Sequence, residues 1–249
     1  MRVIVSLIAL LVAAGTASAA EIKTLITTAM EAAIVELVPP FERATGHKVT
    51  VSYDPSGGLA RRLRNGEFAD MILIGSSDLD KLIGEGKVKD RTDVSRTGIA
   101  LAVRKGAPHP DVSTPEALKR ALIAAKSIGH SAPAGGGITA LHVQQVFERL
   151  GIAEQVTPKV KLAAGGPNGR VSVLVASGEA EIGLQQISEL MSNRDVEVIG
   201  LLPDALQQIT IYSAGITAIA KEPEAARALI RQLTSPEALA LYKTKGLGL

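Results

Sequence analysis

The chain has no cysteine and no tryptophan, and only three tyrosines and three phenylalanines among 249 residues. Without cysteine there is no disulfide framework and no thiolate metal site, so the folded state rests on its apolar core alone. With aromatics at 2%, the stacking faces that usually grip single-stranded nucleic acid or sugar rings are scarce. An excess of one charge sign is missing too. There are 27 Lys and Arg against 25 Asp and Glu, and removing Arg2 with a leader leaves 26 − 25 = +1, which gives no reason to expect a polyanionic partner. A small polar or ionic ligand is what these absences leave open.

A permanent membrane span needs about 20 apolar residues, and no stretch supplies them. The nearest approach is Val3 to Ala14, which follows the positive start Met1-Arg2 and precedes the small-residue site Ala17-Ser18-Ala19. That pattern predicts a cleaved signal peptide over residues 1–19 and a soluble, exported mature chain. A bacterial periplasm suits it. The remaining length can bury one large core or two smaller ones.

Short β-branched runs alternate with amphipathic segments along the whole sequence, which predicts an α/β fold. Strands are expected at 22–26, 48–53, 71–74, 98–104, 127–130, 159–162 and 182–184, with a long β-like stretch at 208–220. Pro39-Pro40 should kink or split the first helix, 30–45. Ser113-Thr-Pro-Glu116 resembles a capping box ahead of a helix running to Ala125. The character shifts near Gly98 and shifts back near Gln208, so two units are expected: residues 20–99 with 212–249, and residues 100–211. Two crossings between them would make a hinged cleft.

Motifs of familiar chemistry fit poorly. Gly135-Gly136-Gly137-Ile138-Thr139-Ala140 satisfies G-x-G-x-x-A, yet the following strand ends without an acidic residue for a ribose, so a nicotinamide cofactor is not expected. Gly129-His130-Ser131-Ala132-Pro133 begins like a hydrolase elbow but ends in Pro. The four histidines, His47, His109, His130 and His142, show no metal-ligand spacing. Neither metal nor cofactor is therefore expected.

What recurs is a strand, then small residues, then a helix start: Thr27-Thr28-Ala29, Ser56-Gly57-Gly58, Gly75-Ser76-Ser77, Gly135 to Gly137, and Gly165 to Gly169 with Asn168. Each leaves backbone N–H groups at the carboxyl end of a strand, where open α/β sheets bind ligands. Taken singly each is ordinary helix capping; five together favour an anion-binding cleft. Arg61, Arg62 and Arg64 belong mostly to a solvated face, whereas Arg170, beside the last loop, can take a carboxylate with its forked guanidinium.

The order of these loops, with Ser56-x-x-Leu-Ala-Arg61, Asn65-Gly-x-x-Ala-Asp70 and Arg149-Leu-Gly151, resembles the periplasmic molybdate-binding proteins of ABC importers. The resemblance implies a type II binding fold, two lobes with a hinged central cleft, acting as a monomer beside an inner-membrane permease. It also implies that Ser56 and the Gly75 N–H contact the oxyanion. Thr27-Thr28-Ala29-Met30 departs from the family's Ala-Ala-Ser-Leu, and the family's later Tyr falls near Gln185 or Gln186. The expected ligand contacts are thus Thr27, Thr28, Ser56, Gly57, Gly75, Ser76, Gly137, Asn168, Arg170 and Gln186. Amides and an arginine suit a planar carboxylate better than molybdate. The family's relatives include an exported aconitate isomerase, which gives a second expectation with His130 as base and Arg170 and Arg61 as carboxylate clamps.

Overall fold

A computed structural model of the chain describes residues 19–133, 138–164 and 169–248. The expected signal peptide, apart from its last residue, and the expected contacts Gly137 and Asn168 lie outside the described residues. In chain order the elements are β1 Glu21–Thr27, a 3-10 turn Thr28–Met30, α1 Glu31–Thr45, β2 Lys48–Asp54, α2 Ser56–Arg64, β3 Met71–Gly75 and α3 Ser76–Gly84. Then come β4 Thr92–Thr97, β5 Ile99–Arg104, α4 Pro115–Ala124, β6 Ile128–Ser131, α5 Ile138–Arg149 and α6 Ala153–Val156. The chain continues through β7 Val160–Ala163, α7 Val171–Ser177, β8 Ile182–Gln186, α8 Ile187–Met191, β9 Val196–Leu201, β10 Thr210–Ile216, α9 Pro223–Leu233 and α10 Pro236–Thr244.

Two five-stranded sheets result, ordered β2-β1-β3-β10-β4 and β7-β6-β8-β5-β9. They repeat one plan. In each, three parallel strands are followed by an antiparallel strand, β10 in the first sheet and β5 in the second. The fold is α/β and two-lobed, with helices on both faces of each sheet. Strands covered on both faces read as continuous apolar runs, as Met-Ile-Leu-Ile-Gly does at β3, all five residues buried. Leu73 goes to the core under α1 and α9, while Ile72 and Ile74 go to the core under α2 and α3.

The second sheet has one large-residue face, with Leu101, Val103 and Leu184, and one small-residue face, with Ala100, Ala102 and Ala163. The small face lets α7 lie close. A Cβ at Gly183 would stand 2.6 Å from Val175 Cγ2 and 2.8 Å from Val171 Cγ1, so any larger residue there displaces the helix that begins at the cleft.

The chain passes from the first sheet to the second at Gly98, between β4 and β5, and returns between Leu206 and Thr210. Gln207 ties the two passages together. Its Oε1 accepts from Ile99 N at 2.9 Å, and its Nε2 donates to Ile99 O at 2.9 Å.

Three local expectations need correction. The prolines do not split the helix, which runs unbroken from Glu31 to Thr45 through Pro39 and Pro40. The prolines strip partners from the carbonyls of Val35 and Glu36, but these four residues are exposed, so water replaces the missing N–H groups. The cap of α4 is Thr114, whose hydroxyl accepts from Ala117 N at 3.1 Å, not Ser113, whose hydroxyl donates to Asp111. Two edge strands, β4 and β9, stand where no strand is predicted, and the stretch expected over 208–220 pairs only as Thr210–Ile216.

Candidate functional site

The ends of the parallel strands of both sheets face one cavity of about 60 Å³. From the first sheet come Thr27 to Ala29, Pro55, Ser56 and Tyr212; from the second come Ser131, Thr139, Arg170 to Ser172, Gln185, Gln186 and Glu189.

On the first side, β1 ends in Thr27, and its direction turns sharply into the 3-10 turn. Ser56 opens α2 behind Pro55, whose fixed φ of −56° presets the helix entry. The Ser56 hydroxyl donates to Thr27 Oγ1 at 3.3 Å and accepts from Gly75 N at 3.1 Å. Three strand ends are therefore stitched by one hydroxyl, and the Gly75 N–H is spent on Ser56. Gly58 leaves room for the Asp54 carboxyl, which would stand 2.7 Å from a Cβ there.

On the second side, Gln185 Nε2 donates to Ser131 Oγ at 2.6 Å, and Gln185 Oε1 accepts from Gln186 N at 3.0 Å. Gln186 Nε2 donates to Thr210 Oγ1 at 3.0 Å, which leaves Gln186 Oε1 buried with no partner among the described residues. Ser172 Oγ is equally orphaned. Turning the Gln186 amide by 180° would let the Thr210 hydroxyl donate to the oxygen and would aim the NH2 group into the cavity. Ser95 Oγ, Ser188 Oγ and Gln208 Oε1, in residues outside the cavity lining, are also buried without partners; what sets Gln186 and Ser172 apart is that both residues line the cavity.

Besides the Gln186 bond to Thr210 of β10, two contacts cross between the sides. Thr28 Oγ1 donates to Glu189 Oε1 at 2.9 Å, and Arg170 Nη2 donates to the Glu31 carboxylate. Burial raises the Glu189 carboxyl above its ordinary range; the Thr28 bond and the Arg170 charge pull it down, and Glu31 adds to the rise. Burial likewise pushes the Tyr212 phenol well up, with the Glu189 charge contributing.

Of the expected contacts, the structure brings Thr27, Thr28, Ser56, Arg170 and Gln186 to the cavity, while Gly57, Gly75 and Ser76 do not line it. His130 does not line it either. It is 2% exposed, its Nδ1 is 2.8 Å from Ser131 O, and burial holds its pKa below the ordinary value against that hydrogen bond. Arg61 is exposed and outside the lining, Arg62 pairs with Glu67, and Arg64 pairs with Glu85. Sequence reasoning missed Glu189, Tyr212, Ser131, Thr139 and Ser172. The signal for Glu189 was available: Gln186-Ile-Ser-Glu189 is again a strand end running straight into a helix. Among the described residues, no group of three His, Cys, Asp or Glu could hold a metal ion, and no helix is long and apolar enough to cross a membrane.

The arrangement offers hydroxyls, two amides, one guanidinium and one carboxyl around a space large enough for several water molecules or a compact polar group. A family model described as bacterial extracellular solute-binding protein matches residues 22–248. An aconitate isomerase from a Pseudomonas species is 37% identical over 251 residues, covering 96% of this chain and 93% of that protein. The molybdate-binding protein ModA of Azotobacter vinelandii is 28% identical over 253 residues, covering 100% and 97%. Among solved structures, the periplasmic molybdate-binding protein of Azotobacter vinelandii superposes with a TM-score of 0.76 at 20% identity, over 92% of this chain and 99% of that one. With that match spanning nearly the whole chain, and with two sheets of one plan closing on a shared cavity, the chain belongs to the family of bacterial extracellular solute-binding proteins.

Proposed function

We propose that the chain is the exported binding component of an ABC importer and that it captures a small oxyanion, an organic carboxylate in preference to molybdate. The observation that carries this reading is the cavity itself, where polar groups from the strand ends of both sheets converge and two of them lack partners. The preference for a carboxylate rests on the forked donors of Arg170 and on the amides of Gln185 and Gln186, which match two coplanar oxygens.

In this reading residues 1–19 are removed on export to the periplasm. Residues 20–99 with 212–249 form one lobe, and residues 100–211 form the other. Closure of the monomer over the solute presents both lobes to a permease, and no cofactor takes part. Thr27, Thr28, Ser56, Arg170 and Gln186 touch the solute, with Gly137 and Asn168 completing the donors, and Gly57, Gly75 and Ser76 support from behind. A thermal-shift screen of the mature chain with cis- and trans-aconitate, citrate, molybdate, tungstate and sulfate tests it. Ligand at 100 times its dissociation constant stabilises by about 2.7 kcal/mol. A shift with a carboxylate is expected; flat melting curves with every anion overturn the reading.

A second reading, aconitate isomerase, is favoured by the relative of that name at 37% identity over nearly the full length. Its acid–base group would then come from the cavity lining, where Glu189 and Tyr212 stand and His130 does not. Proton NMR of trans-aconitate incubated with the chain separates the two: growth of the cis isomer supports catalysis, and an unchanged spectrum supports capture alone.

A further inference from the structure

The carboxyl group in the cleft poses a problem that the anion reading, on which this inference rests, must solve. Glu189 lines the central cavity and also the groove behind it, between α1, α8 and the residues after α10. Its Oε1 accepts from Thr28, and no hydrogen bond from the described residues reaches Oε2. The charged and titratable groups around it come from every neighbouring element: Glu31 and Glu36 of α1, Arg170 at the start of α7, Tyr212 of β10, Arg194 beyond α8, and Lys245 beyond α10. Their charges are largely spoken for. Arg170 is bonded to Glu31, and Lys245 pairs with Glu36 at 2.5 Å, while Arg194 is exposed.

An ionised Glu189 would therefore face the captured anion with one guanidinium in the described lining, Arg170, whose charge is already balanced by Glu31. Two like charges in one enclosed site are not both kept; one takes a proton. The free Oε2 is where that proton goes. We infer that Glu189 stands in the complex as the carboxylic acid, so that capturing an anion takes up one proton from solution and the Glu189 O–H donates to the anion. Burial already favours the neutral form in the empty cleft. The anion adds to the same preference.

Proton and anion then enter together, and the bound form holds one proton more than the free form wherever free Glu189 is ionised. Affinity must fall as pH rises through that range, by up to about tenfold per pH unit. The test is isothermal titration with trans-aconitate at pH 8, in Tris, HEPES and PIPES, whose ionisation enthalpies differ. The measured enthalpy is expected to vary with buffer enthalpy at a slope near one proton per complex. Glu189→Gln, which imitates the acid, should still bind while the slope drops to near zero and the pH dependence flattens. In the wild-type chain, the carboxyl carbon of one 13C-labelled glutamate should move to its carboxylic-acid position on adding the ligand, a readout that needs no substitution. Binding with zero slope, or an equal slope in Glu189→Gln, overturns this inference and leaves the anion reading standing. If neither trans-aconitate nor any anion of the thermal screen binds, the anion reading itself fails and takes this inference with it.

Discussion

The two walls of the cleft are built from the same sequence pattern, a strand running through small or polar residues into a helix, yet they end in opposite states. On the wall from the first sheet, Thr27, Ser56 and Gly75 satisfy one another. On the wall from the second sheet, Gln186 Oε1 and Ser172 Oγ stay open, and Glu189 keeps an oxygen free. A closed hydrogen-bond circuit stabilises the fold and has little left to give a ligand. An open one is paid for by the fold and repaid by a guest. The first wall thus supplies mostly scaffold, and the second supplies most of the open groups.

The largest effect should come from the second wall. Arg170→Ala removes a charged donor at the cavity edge, and affinity for the carboxylate found in the thermal screen should fall on the order of 10- to 100-fold. Calorimetry reads this directly. A lower melting temperature with unchanged affinity would erase the distinction between the walls. An intermediate effect, of the opposite kind, is expected from Ser56→Ala. It strands the Gly75 N–H in a buried place, which costs about 1–3 kcal/mol; each kcal/mol lowers the melting temperature of a chain this size by about 2–4 °C. Affinity should change less than it does in Arg170→Ala. A Ser56→Ala protein that melts like the wild type but no longer binds would make the first wall a recognition surface too.

The smallest effect is a pair of pH slopes in the unliganded protein. The folded-state pKa of His130 is lowered, so the folded chain binds fewer protons than the unfolded one below the ordinary histidine range. The stability this contributes is present above that range and is lost as pH falls. Glu189 is shifted upward, so its contribution is present at low pH and is lost as pH rises through its folded pKa. His130→Gln should flatten only the acid-side slope of the melting temperature, and Glu189→Gln only the slope above the ordinary carboxylate range. One substitution flattening both would mean that the two sites are coupled.

Much of the fold was legible because burial on both faces forces apolar runs such as Met71 to Ile74 into strands and because glycines close the units between them. Two of the four edge strands escaped. β4, Thr-Asp-Val-Ser-Arg-Thr, and β9, Val-Glu-Val-Ile-Gly-Leu, carry charges that suit a strand paired on one side only, and charge hides a strand from hydrophobic pattern. The double proline misled for a different reason, since its penalty depends on whether water reaches the carbonyls it strips, and exposure is set by packing. In the site, Thr27, Thr28 and Ser56 could be named from strand ends, Gln186 from the resemblance, and Arg170 from its charge. Tyr212 could not. It reaches the cavity from a strand that pairs antiparallel to β3 after the chain has crossed between sheets twice.

The sequence by itself determined the alternation of strands and helices and the supply of small polar residues at the strand ends, because these follow from local periodicity and backbone chemistry. Only the tertiary structure decided which of those groups are free, since a hydrogen bond belongs to two partners that can lie more than a hundred residues apart. Ser56 meets Gly75 and is satisfied; Arg170 meets Glu31 and Thr28 meets Glu189 across the cleft. The groups left over after those pairings, with the remaining N–H donors of Arg170 among them, form the recognition surface, and no linear pattern encodes a remainder.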